Sequence, residues 1–118
     1  MTYDNNNIFA KILRGEIPST PIYENEYVLA FYDIAPLAPV HILIIPKGAY
    51  VSLQDFSEKA SAQEITEFYR AVPIIAQQEG IADQGYRAIT NIGEHGGQEI
   101  PHFHLHLLGG EKIGSLRP

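Results

Sequence analysis

An α+β fold with an antiparallel sheet is what this sequence predicts, and three observations predict it. Apolar residues recur in short runs of strand length, at Tyr27-Val28-Leu29-Ala30-Phe31-Tyr32, Val40-His41-Ile42-Leu43-Ile44-Ile45 and Tyr86-Arg87-Ala88-Ile89-Thr90-Asn91. One long stretch alone, residues 61–79, has an extended stripe at helical spacing. The elements run short helix, hairpin, strand, long helix, strand, loop, strand, and no pair of strands in that order demands a right-handed crossover. The 118 residues suit a single domain, residues 1–118, with one core.

The first helix is read from Ile8, Phe9, Ile12 and Leu13, with the polar run Asn5-Asn6-Asn7 to cap it and Gly15 to end it. Pro18 and Pro21 bracket an extended stretch. Ile22-Tyr23-Glu24 and residues 27–32 then form a hairpin about Asn25-Glu26. A proline-punctuated loop, residues 33–39, leads into the strand at Val40, and Pro46 stops that strand. Ser61-Ala62-Gln63-Glu64 is a capping box, and Ile65, Phe68, Tyr69, Val72, Ile75 and Ala76 follow as one apolar stripe. Pro73 should bend this helix, and Gly80 closes it. Phe68 and Tyr69 are read as core or dimer contacts. Asp83-Gln84-Gly85 is a turn, and Gly93-Glu94-His95-Gly96-Gly97-Gln98 is a glycine-rich loop before the last strand.

Composition narrows the function. Charged residues make up 19% and hydrophobic residues 45%, which is globular rather than disordered. A net charge of −6 argues against a nucleic-acid binder, which needs a basic face. There is no cysteine, so disulfides, thiolate metal sites and cysteine nucleophiles are excluded. No signal segment is visible at the N-terminus, and no apolar run approaches membrane-spanning length, so a cytoplasmic protein without membrane attachment is the expectation.

The chemistry concentrates in His102-Phe103-His104-Leu105-His106-Leu107-Leu108, where imidazoles alternate with apolar residues. As a strand, this places three histidines on one face and Phe103, Leu105 and Leu107 in the core. Three readings stand at this point. One is a metal site, but His102 and His106 would lie about 13 Å apart at Cα, so one ion would need another ligand such as His41 or Glu99. A second is a row of satisfied structural histidines, each buried ring needing a partner. The third is nucleophilic attack on phosphorus by His104, because a neutral imidazole is a competent nucleophile near pH 7. The adjoining glycine loop fits the third, since glycines let backbone N–H groups approach a phosphate.

The histidine alternation matches the histidine-triad signature, and the likeness extends along the chain. Ile8-Phe9-Ala10-Lys11-Ile12, Gly15-Glu16-Ile17-Pro18, Ala30-Phe31-Tyr32-Asp33-Ile34, Pro36-Leu37-Ala38-Pro39-Val40-His41-Ile42-Leu43-Ile44-Ile45-Pro46-Lys47, Gly85-Tyr86-Arg87, Asn91 and Gly96-Gly97-Gln98 carry it in order. The sequence resembles the histidine triad family, in its branch of histidine triad nucleotide-binding proteins of bacterial type. The resemblance implies a five-stranded antiparallel sheet with one long and one short helix, joined to a second sheet across a homodimer. It implies hydrolysis of the P–N bond of purine nucleoside 5′-phosphoramidates through a nucleotidyl-histidine, with no cofactor required and no metal. It gives His104 as nucleophile, His102 as the residue whose carbonyl fixes the His104 ring, and His106 and His41 as neighbours of the phosphate. Asn91 and the Gly97-Gln98 backbone would hold phosphate or ribose, and Asp33 the ribose hydroxyls. Ile8, Phe9, Ile12, Phe31, Ile34 and Leu43 would line the base pocket. Glu99 stands where many eukaryotic relatives carry a serine that helps the leaving group. Pro101 replaces an aromatic residue, and the tail after Gly110 is short. A nucleotide-binding adaptor with little turnover and a dinucleoside polyphosphate hydrolase are the alternatives.

Overall fold

Five strands form one antiparallel sheet in this computed structural model, which describes residues 2–116. Met1 and the tail residues Arg117 and Pro118 lie outside the described residues. The chain runs α1 (Ile8–Leu13), β1 (Pro21–Glu24), β2 (Val28–Tyr32), β3 (Val40–Pro46), α2 (Leu53–Lys59), α3 (Ala62–Gln78), β4 (Arg87–Ile89) and β5 (Leu105–Gly109). The spatial order is β1-β2-β3-β5-β4, with every neighbouring pair antiparallel.

Local chemistry sets the boundaries. The Asn7 side chain accepts the Ala10 N–H at 2.9 Å and so starts α1. The hairpin turn lacks glycine, and Asn25 Oδ1 compensates by accepting the Tyr27 and Val28 N–H groups at 2.8 and 3.0 Å. Ser61 and Glu64 close a reciprocal capping box on α3, and that helix continues through Pro73. Among the described residues no helix is long and apolar enough to cross a membrane.

Three features differ from the sequence expectation. Among the described residues there are three helices rather than two. The additional one, α2, is capped by Ser52 and buries only Phe56, so it has no periodic stripe to announce it. The last strand starts at Leu105, not at His102. Pairing with β3 stops at Ile44↔Leu105, because Pro46 has no N–H and its carbonyl accepts from the His102 ring instead. The strand expected over residues 86–91 shortens to β4, and just beyond it the Thr90 hydroxyl, rather than a ladder amide, meets the His104 carbonyl.

The sheet packs on both faces. Helices α2 and α3 cover one face, where Val28, Ala30, Ile42, Ile44 and Leu107 meet Phe56, Phe68 and Phe103. The three phenylalanine rings have centroids 4.9–5.3 Å apart. On the other face Phe9 of α1 packs against Leu29, Phe31, Leu43 and Ile45. The histidines lie on that second face.

Candidate active site

Strand alternation builds the base of the site. On β3, Ile42 and Ile44 point into the helix-covered core, while His41 and Leu43 belong to the opposite face. Leu43 is paired with His106 of β5, and His41 lies diagonal to it. The two imidazoles meet there, His41 Nε2 lying 2.9 Å from His106 Nδ1. Asp33, just beyond β2, places Oδ2 3.4 Å from the same His41 nitrogen.

The ring partners assign the protons. His41 Nδ1 accepts the Leu37 N–H at 3.0 Å, so the neutral ring carries its proton on Nε2 and donates it to His106 Nδ1. His106 then holds its own proton on Nε2. His104 Nδ1 donates to the His102 carbonyl at 2.7 Å, which leaves the lone pair on Nε2. His102 is fully buried, donating from Nε2 to Pro46 O at 2.9 Å and accepting the Tyr3 hydroxyl on Nδ1 at 2.7 Å.

Burial disfavours the charged form of His102, His104 and His106. It pushes His102 down to about 4, against the pull of the Pro46 carbonyl. Burial likewise lowers His106 to about 4, and the neighbouring His104 and His41 rings add to the effect. His104 is also lowered, chiefly by burial, with its bond to the His102 carbonyl and the Asp33 and Glu99 charges opposing. The Phe9 ring makes an edge-to-face contact with His104, centroids 5.0 Å apart.

A cleft of about 450 Å³ opens over these groups. His104, His106, His41, Asp33, Asn91 and Glu99 line its polar side. Ile8, Phe9, Ile12, Phe31, Ile34 and Leu43 line the apolar side, with Gly97 and Gln98 on the wall. Of the residues singled out from the sequence, only His102 is absent from the lining, because it lies behind His104. Ile34 lines the rim and is 95% exposed, unlike the buried Phe9, Phe31 and Leu43 beneath it.

The glycine loop differs from the expectation in its donors. The Gly97 N–H bonds to Glu94 O at 3.1 Å and the Gln98 N–H to Gly93 O at 3.0 Å. Both are engaged within the loop, so a ligand oxygen would have to displace a carbonyl to reach either. The glycines serve the tight path: a Cβ on Gly96 would sit 2.4 Å from Ile92 O, and Gly97 has φ +76°. The Gln98 side chain ties the loop down, accepting from Gly93 N and donating to Val51 O and Ile100 O.

Asp33, His41 and His106 are close enough to suggest a metal centre, with one donor atom from each within 4.8 Å of the others. The ring chemistry does not fit one. A metal on His41 Nε2 would require the proton on Nδ1, where the Leu37 N–H already points. Sequence reasoning missed Tyr3, Thr90 and the Pro46 carbonyl. Their roles depend on partners 99, 14 and 56 positions away, which no local pattern reports.

A sheet of this topology with paired imidazoles at a cleft defines a class, and the comparisons place the chain in it. The HIT domain model matches residues 14–113, and the chain belongs to the HIT domain family. It is 48% identical to the purine nucleoside phosphoramidase of Escherichia coli (strain K12), over 92% of this chain and 91% of that protein. It is 52% identical to an uncharacterised 13.2 kDa HIT-like protein of Azospirillum brasilense, over 98% of this chain and 94% of that one. Among solved structures it resembles a HIT family hydrolase from Clostridium thermocellum with a TM-score of 0.87 and 43% identity, covering 98% of this chain and 99% of that one.

Proposed function

We propose that the protein hydrolyses purine nucleoside 5′-phosphoramidates through a covalent intermediate on His104. The observation that carries this reading is the His104 tautomer. Its Nδ1–H is fixed on the His102 carbonyl, so Nε2 is an oriented, unprotonated nucleophile on the wall of the cleft. The 48% identity to a purine nucleoside phosphoramidase supports the substrate class.

His104 Nε2 attacks the α-phosphorus, the P–N bond breaks, and the amine leaves with a proton. Water then attacks the nucleotidyl-histidine, releasing the nucleoside monophosphate and restoring the ring. The His106 Nε2–H, set by the His41 bond, is the donor available to a phosphoryl oxygen. Glu99, on the cleft wall, is assigned the proton exchanged with the amine and the water. Asn91 is assigned to the phosphate or ribose and Asp33 to the ribose hydroxyls, while the base lies against Phe9, Phe31 and Leu43. No step calls for a cofactor. We place the activity in the cytoplasm and in a homodimer whose sheets join across the interface.

Two measurements test the reading. Adenosine 5′-phosphoramidate should be cleaved much faster than a dinucleoside polyphosphate at equal concentration. The reverse order would move the protein to polyphosphate hydrolysis, and AMP binding without turnover of either would make it an adaptor. Acid-quenched intact mass should show a nucleotidyl adduct that maps to His104. An adduct on another residue removes the mechanism while leaving the substrate class standing.

A further inference from the structure

Tyr3 lies outside the cleft, on the arm before α1, yet it bonds to the residue that orients His104. Its hydroxyl is 2.7 Å from His102 Nδ1, and its ring packs on the imidazole with centroids 5.6 Å apart. His102 has no other partner for that nitrogen among the described residues. The ring is fully buried, so water cannot stand in for the hydroxyl without a rearrangement.

The His102 carbonyl needs such an anchor because the sheet does not supply one. Residues 100–104 lie outside any strand, and the ladder begins only at Leu105. The backbone here is held by His102 N–H to Ile100 O and by Phe103 N–H to Tyr50 O. Those two bonds fix the amides on either side of residue 102. Its side chain is fixed separately, at Nε2 by Pro46 O and at Nδ1 by Tyr3. With both ring nitrogens engaged the His102 side chain cannot rotate, and its carbonyl stays aimed at His104 Nδ1, 2.7 Å away.

We propose that Tyr3 is a positioning residue for the reaction: its hydroxyl locks the His102 ring, and the locked residue holds the carbonyl on which the His104 nucleophile is oriented. The inference rests on the reading of His104 as nucleophile. It adds a residue from a distant segment that never meets the substrate. The N-terminal arm thereby becomes part of the catalytic apparatus, since Asn7 N–H to Asp4 O and Asn6 N–H to the Asp4 carboxylate shape the turn that presents Tyr3.

Tyr3→Phe deletes the O–H and keeps the ring packing. With adenosine 5′-phosphoramidate it should lower kcat about fivefold to thirtyfold at unchanged KM, since the base and ribose contacts are untouched. In a His102→Leu background the same change should have no further effect on kcat, because the group it acts through is gone. A wild-type kcat in Tyr3→Phe overturns the proposal, and so does a loss that persists undiminished without His102. If His102→Leu does not fold, imidazole ¹⁵N shifts of His104 in Tyr3→Phe decide instead. A weakened Nδ1–H signature supports positioning, and an unchanged one beside reduced kcat overturns it. Undiminished turnover by His104→Ala would instead remove the nucleophile reading beneath the proposal.

Discussion

The two faces of the sheet are made from the same strands and are held together differently. On β3, Ile42 and Ile44 enter a dry core against α2 and α3, while His41 between them and the preceding loop enters a network of directed hydrogen bonds. On β5, Leu105 and Leu107 face the helices and His106 faces the cleft. The helix side depends on shape and area, which tolerate no polar atom without a partner. The cleft side depends on where individual protons sit, and each ring there is fixed by a backbone group or another side chain. Truncating an apolar side chain on the first face should therefore be read chiefly in stability, and truncating His104 or the groups that orient it chiefly in turnover.

The largest expected effect breaks the cleft side alone. His104→Ala should lower kcat by about 10⁴-fold or more, because the proposed mechanism gives the covalent bond to His104 alone. Its melting temperature should stay near that of the wild type, since the ring bonds to one backbone carbonyl and leaves the ladder from Leu105 intact. Turnover retained within tenfold of wild type, roughly 1.4 kcal/mol, would show that the row of imidazoles is structural.

Phe103→Ala makes the converse break one residue away. Phe103 is 1% exposed and stacks with Phe56 and Phe68 at centroid distances of 5.0 and 4.9 Å. Its removal should cost about 3–5 kcal/mol in urea unfolding, from lost transfer and the cavity left behind. Folded molecules should still turn over, more slowly where residue 103 helps to place its histidine neighbours. A stability change under about 1 kcal/mol would mean that the helix side is not a close-packed core.

The alternation that separates these neighbours was legible in the sequence, and so were α1, the capping box of α3 and the antiparallel sheet. Each rests on spacing within a single element. The start of β5 was not legible, because it depends on Pro46 giving its carbonyl to a histidine 56 positions away. Helix α2 was hidden for a different reason: Phe56 is its one fully buried side chain, and a single apolar residue has no period. In the site, the histidine row stood out by itself. Asp33 and His41 drew their weight from the family resemblance, because an acid in a proline loop and a histidine in an apolar strand are ordinary alone. Tyr3 and Thr90 had no signal at all.

Acid should separate the faces without any mutation. His102 is held at about 4 when folded, below its ordinary 6.5, so the unfolded chain takes up this proton first as pH falls. The stability tied to His102 is complete above the unfolded value, declines as pH drops from about 6.5 to about 4, and is lost below that. The decline is about 3 kcal/mol for this buried ring. His106, lowered by burial in the same sense, adds to it. On the helix side the charge-bonded carboxyls behave otherwise. Asp55 is held low by Lys59, and Glu64 by the Ser61 N–H, so their contributions are full above their ordinary values of 3.8 and 4.5 and decline only as pH falls below those. Urea midpoints that stay level between about pH 6.5 and 4.5 would contradict neutral burial of the imidazoles.

The smallest effect sharpens the comparison at a residue that touches neither the core nor the cleft lining. Thr90 Oγ1 donates to the His104 carbonyl at 2.9 Å, just where β4 has ended and no ladder amide does so. Thr90→Val keeps the branched shape that suits this extended backbone and deletes only the donor. The half-buried position admits water to the freed carbonyl, so the loss should fall short of an orphaned buried acceptor. We expect kcat to drop about threefold to tenfold with KM unchanged, because the bond steadies the backbone of His104, the proposed nucleophile, and touches no residue proposed to bind the nucleotide. A raised KM at constant kcat would place Thr90 with the ligand rather than behind His104. A melting temperature that falls while both constants hold would place it with the packing of the helix side instead.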